Sequence, residues 1–205
     1  MKQFKFFIAA VIVLFSMTAK ANEPAATAAS KSSENQKMSK TDNKAVDLEN
    51  RLYLQLKDGR VVIDLMPSVA PKHVARIKEL AREKFYDGIV FHRVIDGFMA
   101  QTGDPTGTGM GGSSKPDLGA EFSGVPHDKG VLSMARSSEP NSANSQFFIV
   151  LENSHFLDGK YTVWGKVVEG MEFVNKIKKG DGKRNGTVES PDKIVTLRVA
   201  ADAKE

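Results

Sequence analysis

Phe91-His92-Arg93-Val94-Ile95-Asp96-Gly97-Phe98-Met99-Ala100-Gln101-Thr102-Gly103-Asp104 reads as two short apolar strands joined by an Asp-Gly turn, with one arginine set among apolar and amide side chains. Successive side chains of a strand point to opposite faces. Arg93 therefore shares a face with Phe91 and Ile95, His92 points inward to the other face, and Met99 shares a face with Gln101. Arginine is rarely fully buried unless paired. It cannot be deprotonated, so its chemistry is that of a fixed planar fork of N–H donors.

Further strands extend on both sides of this stretch. Leu52, Leu54 and Leu56 alternate with Tyr53 and Gln55, Lys57-Asp58-Gly59-Arg60 makes a turn, and Val61 to Met66 resumes the apolar run, which is the pattern of a β-hairpin. Pro71 opens a helix at a position where its missing N–H costs little, and Val74, Ile77, Leu80 and Ala81 carry a helical stripe to about Lys84. Strands are expected at Val90–Ile95, Phe98–Thr102, Val131–Ala135, Gln146–Leu151, Tyr161–Val167 and Ile194–Val199, and a second short helix at Met171 to Lys178. Many short strands with two helices predict a mainly β fold, a closed or nearly closed antiparallel barrel, because closure removes exposed sheet edges.

The chain has 205 residues, 29 Lys and Arg against 25 Asp and Glu, and a formal net charge of +4. Lys2, Lys5 and Lys20 all fall in the first 21 residues, which hold no acid, so the remainder is nearly neutral. That gives no electrostatic case for nucleic acid or an anionic membrane. Cysteine is absent, which excludes disulfides, thiol catalysis and cysteine-ligated metals. His73, His92, His127 and His155 are scattered without metal-ligand spacing, and no metal or other cofactor is expected.

Lys2 and Lys5, the apolar stretch Phe6 to Met17 and the small-x-small triplet Ala19-Lys20-Ala21 have the pattern of a cleaved signal peptide over residues 1–21. The apolar stretch is shorter than the ~20 residues that span a bilayer. Residues 22–48, rich in Ala, Ser, Lys, Glu and Asn and without an aromatic, read as a flexible tether, and residues 49–205 as the folded domain. The expectation is an exported monomer without a membrane anchor once the signal is removed.

The chemistry-bearing residues are few. In Gln146–Leu151, Gln146 and Phe148 share one face while Phe147 and Ile149 share the other, so both faces of this sheet carry large apolar groups. The set Arg93, Met99, Gln101, Gln146 and Phe148 has the composition of a ligand groove, apolar walls with a few placed polar groups, unless Met99 and Phe148 simply lie beneath a loop. Such a groove suits a ligand that is apolar at one end and carbonyl-bearing at the other, as a prolyl peptide is. Gly107-Thr108-Gly109-Met110-Gly111-Gly112 matches G-x-G-x-x-G, but Ser113-Ser114-Lys115-Pro116 follows where a helix should open, so the segment reads as a surface loop. Asn185-Gly186-Thr187 reads as a turn. A hydrolase is disfavoured, since Ser133 lies within an apolar strand, His92 reads as a satisfied core histidine, and Asp96 and Asp104 read as solvated turn residues.

The stretch Phe91–Asp104 closely resembles the signature of the cyclophilins, the peptidyl-prolyl cis–trans isomerases. The resemblance continues through Leu132-Ser133-Met134-Ala135, Ser145-Gln146-Phe147-Phe148-Ile149, Phe156-Leu157-Asp158-Gly159 and Val163-Trp164-Gly165-Lys166-Val167. It implies an eight-stranded antiparallel barrel capped by two helices, and an isomerase of X-Pro bonds in proline-containing polypeptides, here unfolded exported chains, in the periplasm by resemblance to bacterial exported members, with full secretion as the alternative. By the same resemblance Arg93 is the catalytic arginine. Phe98, Met99, Phe148 and Leu157 wall the proline pocket, Gln101 and Gln146 hold the substrate backbone, and Ala135 lines the groove. Phe156, Tyr161 and Arg136 stand where the best-known eukaryotic members carry a tryptophan, a histidine and an asparagine. The first implies weak cyclosporin binding, the second keeps a ring with a polar tip, and the third is tolerated where the substrate contact is through the backbone, while leaving sequence preference open to change. A non-catalytic module or chaperone using the same groove is the alternative, although binding alone would not require the arginine.

Overall fold

The computed structural model describes residues 47–203. The expected signal peptide and all but the last two residues of the expected tether lie outside these residues. Asp47 and Leu48, counted with the tether, form the start of the fold: Asp47 caps the short turn Leu48–Asn50, its carboxylate accepting from the Asn50 amide.

Alternation in Arg51–Leu56 (β1) and Gly59–Leu65 (β2) produces the expected hairpin, with Leu52 opposite Ile63 and Leu54 opposite Val61. Pro71–Arg82 (α1) follows, its proline in the first turn and Val74, Ile77, Leu80 and Ala81 buried. Then come Arg93–Ile95 (β3), Met99–Thr102 (β4), Val131–Met134 (β5), Phe147–Val150 (β6), Val163–Glu169 (β7), the short helix Met171–Asn175 (α2) and Thr196–Val199 (β8). All neighbours pair antiparallel, in the order β3-β4-β6-β5-β7-β2-β1-β8. Bulges at Val62/Ile63 against β7 and at Leu132/Ser133 against β7 add local twist and curl the sheet. Helix α1 lies on β7 and β8, and α2 on β2.

The expected closed barrel is corrected to a curled, open half-barrel. Strands β3 and β8 are the two ends of the sheet and share no ladder. Between them run isolated bridges, Val90 with Lys193 and Arg93 with Thr187, and single backbone bonds such as Phe91 N to Asp192 O (2.9 Å) and Val94 N to Gly186 O (2.8 Å). A regular ladder cannot form there. Asn185, Gly186 and Ser190 have positive φ, and Pro191 has no N–H to donate. The expected strand over Val90–Ile95 shrinks to its last three residues for the same reason.

The inner face of the sheet packs Leu52, Ile63, Phe91, Val94, Phe147, Ile149, Trp164 and Leu197 into the main core with the apolar face of α1. A second cluster lies on the outer face around Met99, Val131, Phe148, Val150, Leu157 and Val163. The sheet is apolar on both faces, and the outer cluster is the floor of the site.

Candidate active site

Cross-strand register assembles the outer face. Arg93 of β3 is opposite Gln101 of β4, Gln101 is opposite Phe148 of β6, and Phe148 is opposite Ser133 of β5, so the four form one row across the sheet. The neighbouring inner-face row, Val94, Ala100, Ile149 and Leu132, belongs to the core. Over the outer row lies a hollow of about 530 Å³ lined by nine of the eleven expected residues: Arg93, Phe98, Met99, Gln101, Ala135, Arg136, Phe148, Leu157 and Tyr161. A second hollow of about 590 Å³ adjoins it, and Gln146 lines that one together with Gln101, Ala135 and Arg136. Phe156 lines neither. It sits in the turn His155–Leu157, which sends Leu157 inward and leaves Phe156 63% exposed, its ring 5.3 Å from that of Phe98.

The arginine is held on three sides. Its Nε donates to Asn185 O (3.0 Å), its Nη2 to Asn185 Oδ1 (2.9 Å) and its Nη1 to Gln101 Oε1 (3.1 Å). Gln101 Nε2 donates in turn to Gln146 Oε1 (2.9 Å), and Gln146 Nε2 donates to Gly109 O (3.1 Å) and Gly111 O (2.7 Å). This relay fixes the guanidinium plane in the wall of the hollow and uses three of its five N–H bonds. Burial lowers the Arg93 pKa from its usual value, yet the group stays cationic.

Asn185 owes its place to backbone geometry. It follows the turn Gly182–Arg184 in the left-handed region at φ 54°, and Gly186 follows at φ 78°. The Gly186 carbonyl accepts from Val94 N, which ties the turn to β3. A side chain at 186 would run into Ile95 and approach Val94 O at 3.1 Å. The Asn185-Gly186 pair was legible in the sequence as a turn. Nothing local announced that its amide would grip Arg93, 92 positions away in the chain.

Three expectations are corrected. Phe91 joins the core and His92 turns to the groove side, lining the first hollow, because the backbone at 91–92 is not in the strand and alternation starts only at Arg93. His92 is buried without a hydrogen-bond partner in the protein for either ring nitrogen, and that burial lowers its pKa and keeps it neutral at pH 7. Asp104 is not solvated. It is 1% exposed and accepts from Thr106 N (2.7 Å), Thr106 Oγ1 (2.8 Å) and Gly109 N (2.6 Å). Burial pushes its pKa up, but bonds from the Thr106 side chain and the amides of Thr106, Gly111 and Gly109 outweigh that and bring it down to about 2. The glycine-rich segment is a loop, as expected, with Gly109 and Met110 forming the wall between the two hollows.

Ser133 also enters an arrangement that the sequence concealed. Its Oγ lies 3.1 Å from His127 Nε2, and His127 Nδ1 lies 2.9 Å from Asp158 Oδ1. The order is that of a nucleophilic triad, but Ser133 and His127 are both 0% exposed and Ser133 Oγ donates to Thr162 O (2.9 Å). No substrate atom reaches that oxygen, so the chain is structural. It supports the groove from beneath, with the His127 ring stacked 6.3 Å from Phe148.

Comparison with known proteins agrees with this geometry. The pattern of the family described as cyclophilin type peptidyl-prolyl cis-trans isomerase/CLD matches residues 51–199. A probable peptidyl-prolyl cis-trans isomerase of Brucella suis is 54% identical over 171 residues, covering 78% of this chain and 87% of the relative. Peptidyl-prolyl cis-trans isomerase B of Bacillus subtilis is 44% identical over 140 residues, covering 67% and 96%. Among solved structures, a cyclophilin from Hirschia baltica superposes with a TM-score of 0.70 at 30% identity, covering 78% of this chain and 77% of that one. A cyclophilin type isomerase of Cryptosporidium parvum, crystallised in the presence of the dipeptide Ala-Pro, superposes with a TM-score of 0.67 at 29% identity, covering 73% and 98%. With the row of Arg93, Gln101 and Phe148 set over an apolar floor, and with these relatives, the chain belongs to the cyclophilin-type peptidyl-prolyl cis–trans isomerases.

Proposed function

We propose that Arg93 is the catalytic residue of this isomerase, that Phe98, Met99, Phe148 and Leu157 hold the proline ring, and that Gln101 and Gln146 orient the flanking backbone. The observation that carries the assignment is the Arg93 fork, clamped by Asn185 and Gln101 in the wall of the hollow above the apolar cluster of Met99, Phe148 and Leu157. The relative crystallised in the presence of Ala-Pro supports a prolyl ligand for that hollow.

Rotation about a peptide bond meets a barrier of ~18–20 kcal/mol because the nitrogen lone pair is delocalised into the carbonyl. Uncatalysed X-Pro isomerisation takes roughly tens to hundreds of seconds. Reaching milliseconds requires about 10⁴–10⁵-fold, or ~5.5–7 kcal/mol from the barrier. As the bond twists, conjugation is lost and the proline nitrogen becomes a better acceptor. A guanidinium N–H aimed at it, or at the adjacent carbonyl, binds the twisted state more strongly than either planar one, and only that difference accelerates the step. The clamp matters because a pre-oriented donor does not have to be reorganised during the rotation.

The setting belongs to the same proposal. Lys2 and Lys5, the apolar run Phe6 to Met17 and Ala19-Lys20-Ala21 support export with cleavage after residue 21, and residues 22–48 then serve as a spacer. The periplasm, where chains arrive unfolded with mixed prolyl isomers, is the compartment this reading assigns.

The test is exchange NMR on a short X-Pro peptide with wild type, Arg93→Ala and Arg93→Lys. Exchange should be fast with wild type and fall by at least about 10²-fold in both variants, since a lysine point charge does not reproduce the fork. Undiminished exchange with Arg93→Ala refutes the catalytic assignment. N-terminal sequencing of the protein from fractionated cells tests the export reading, which fails if the chain retains residues 1–21 in the cytoplasm.

A further inference from the structure

The chain's eight arginines divide by what neutralises them. Arg51, Arg76, Arg82, Arg184 and Arg198 each pair with at least one carboxylate. Arg60 lies over the Tyr53 ring. Arg93 and Arg136 line the groove, and among the described residues neither is paired with a carboxylate.

Arg136 is nonetheless held in place. Its guanidinium lies 4.6 Å from the centre of the Tyr161 ring. Its Nη1 donates to Ser137 O (2.9 Å) and Ser138 O (3.2 Å), and its Nη2 to Lys160 O (2.9 Å). Carbonyl oxygens orient a cation but do not cancel its charge. Arg136 lines both hollows, so a chain that fills the first and continues into the second passes it. The first hollow has no Asp or Glu in its wall. The second has only Asp117, which accepts a bond from Asn144 Nδ2 (2.9 Å).

We propose that Arg136 determines specificity, and that the groove selects X-Pro segments carrying a carboxylate side chain beside the proline, at the position that passes between the two hollows. This rests on the isomerase reading of the groove and names its preferred substrate class. The fixed, half-buried cation attracts an acidic neighbour of the proline and repels a basic one, so selection comes from both signs. The effect of one partly exposed charge is modest, and salt weakens it.

The test uses six short peptides in which the residue before or after a single proline is Glu, Ala or Lys, with kcat/KM for each taken from exchange NMR. At one of the two positions Glu should exceed Lys by about three- to tenfold, with Ala between them. That ratio should fall toward one in Arg136→Gln, survive in part in Arg136→Lys, and shrink between about 20 mM and about 500 mM salt. Taking the ratio within each variant removes any general loss caused by movement of Tyr161. A Glu to Lys ratio near one at both positions in wild type overturns the inference, as does an unchanged ratio in Arg136→Gln, which would locate the selection elsewhere. Acceleration of all six peptides alike overturns this inference and leaves the isomerase reading standing. Acceleration of none overturns both.

Discussion

Replacing Asp104 by asparagine converts one of its two carboxylate oxygens to an amino group within a cluster of donors. Thr106 N, Thr106 Oγ1 and Gly109 N all point at that carboxylate, with Gly109 N at 2.6 Å from Oδ2, and the side chain is 1% exposed. A donor would then face donors with no water to relieve the clash. The size of the effect follows from the titration of the native group. A pKa held at about 2 against an ordinary 3.8 corresponds to roughly 2 kcal/mol of preference for the ionised form in the folded state. The variant should lose about that much at pH 7, a fall of ~4–8 °C in Tm for a domain of this size. The sign with pH is fixed. The native pKa is depressed, so this stability is complete well above the ordinary 3.8 and is lost as pH falls toward about 2. The gap between wild type and Asp104→Asn should therefore close over that same acid range.

Urea unfolding followed by the fluorescence of Trp164, the only tryptophan and 0% exposed, measures both. Because the Asp104 loop carries Gly109 and Met110 into the wall of both hollows, KM for an X-Pro peptide should rise as well. A gap that is absent at neutral pH, or one that persists unchanged through the acid range, refutes the reasoning.

Gly186→Ala forces a side chain into a φ of 78° and against Ile95. It should cost about 1–3 kcal/mol and lower kcat by displacing Asn185 from Arg93, as read by denaturation and exchange NMR; retained activity would show that the Asn185 clamp is dispensable. Ser133→Ala leaves His127 Nε2 buried without its partner. It should destabilise by about 1–3 kcal/mol in urea unfolding, and a serine-directed fluorophosphonate should fail to label the wild type; labelling would contradict the structural role given to Ser133.

What could be read from the chain alone was whatever local periodicity encodes. Alternation in β1 and β2, the stripe of α1 behind Pro71, and the two-faced apolar pattern of Phe147, Phe148 and Ile149 follow from side-chain direction, which each short segment carries in itself. The groove set was legible for the same reason, since parity puts Met99 with Gln101 and Phe148 with Gln146, and the cyclophilin resemblance supplied their roles. Parity failed at Phe91 and His92, where the backbone leaves the strand, a property settled by the irregular seam of residues 185–194 rather than by the residues themselves. Whether the barrel closes depended on that seam too. The Asn185 clamp on Arg93, the burial of Asp104 and the His127–Ser133 link beneath Phe148 needed the tertiary structure, because each hydrogen bond or burial joins segments that only folding brings together. A polar side chain's sequence neighbours do not state whether water or a buried donor will satisfy it.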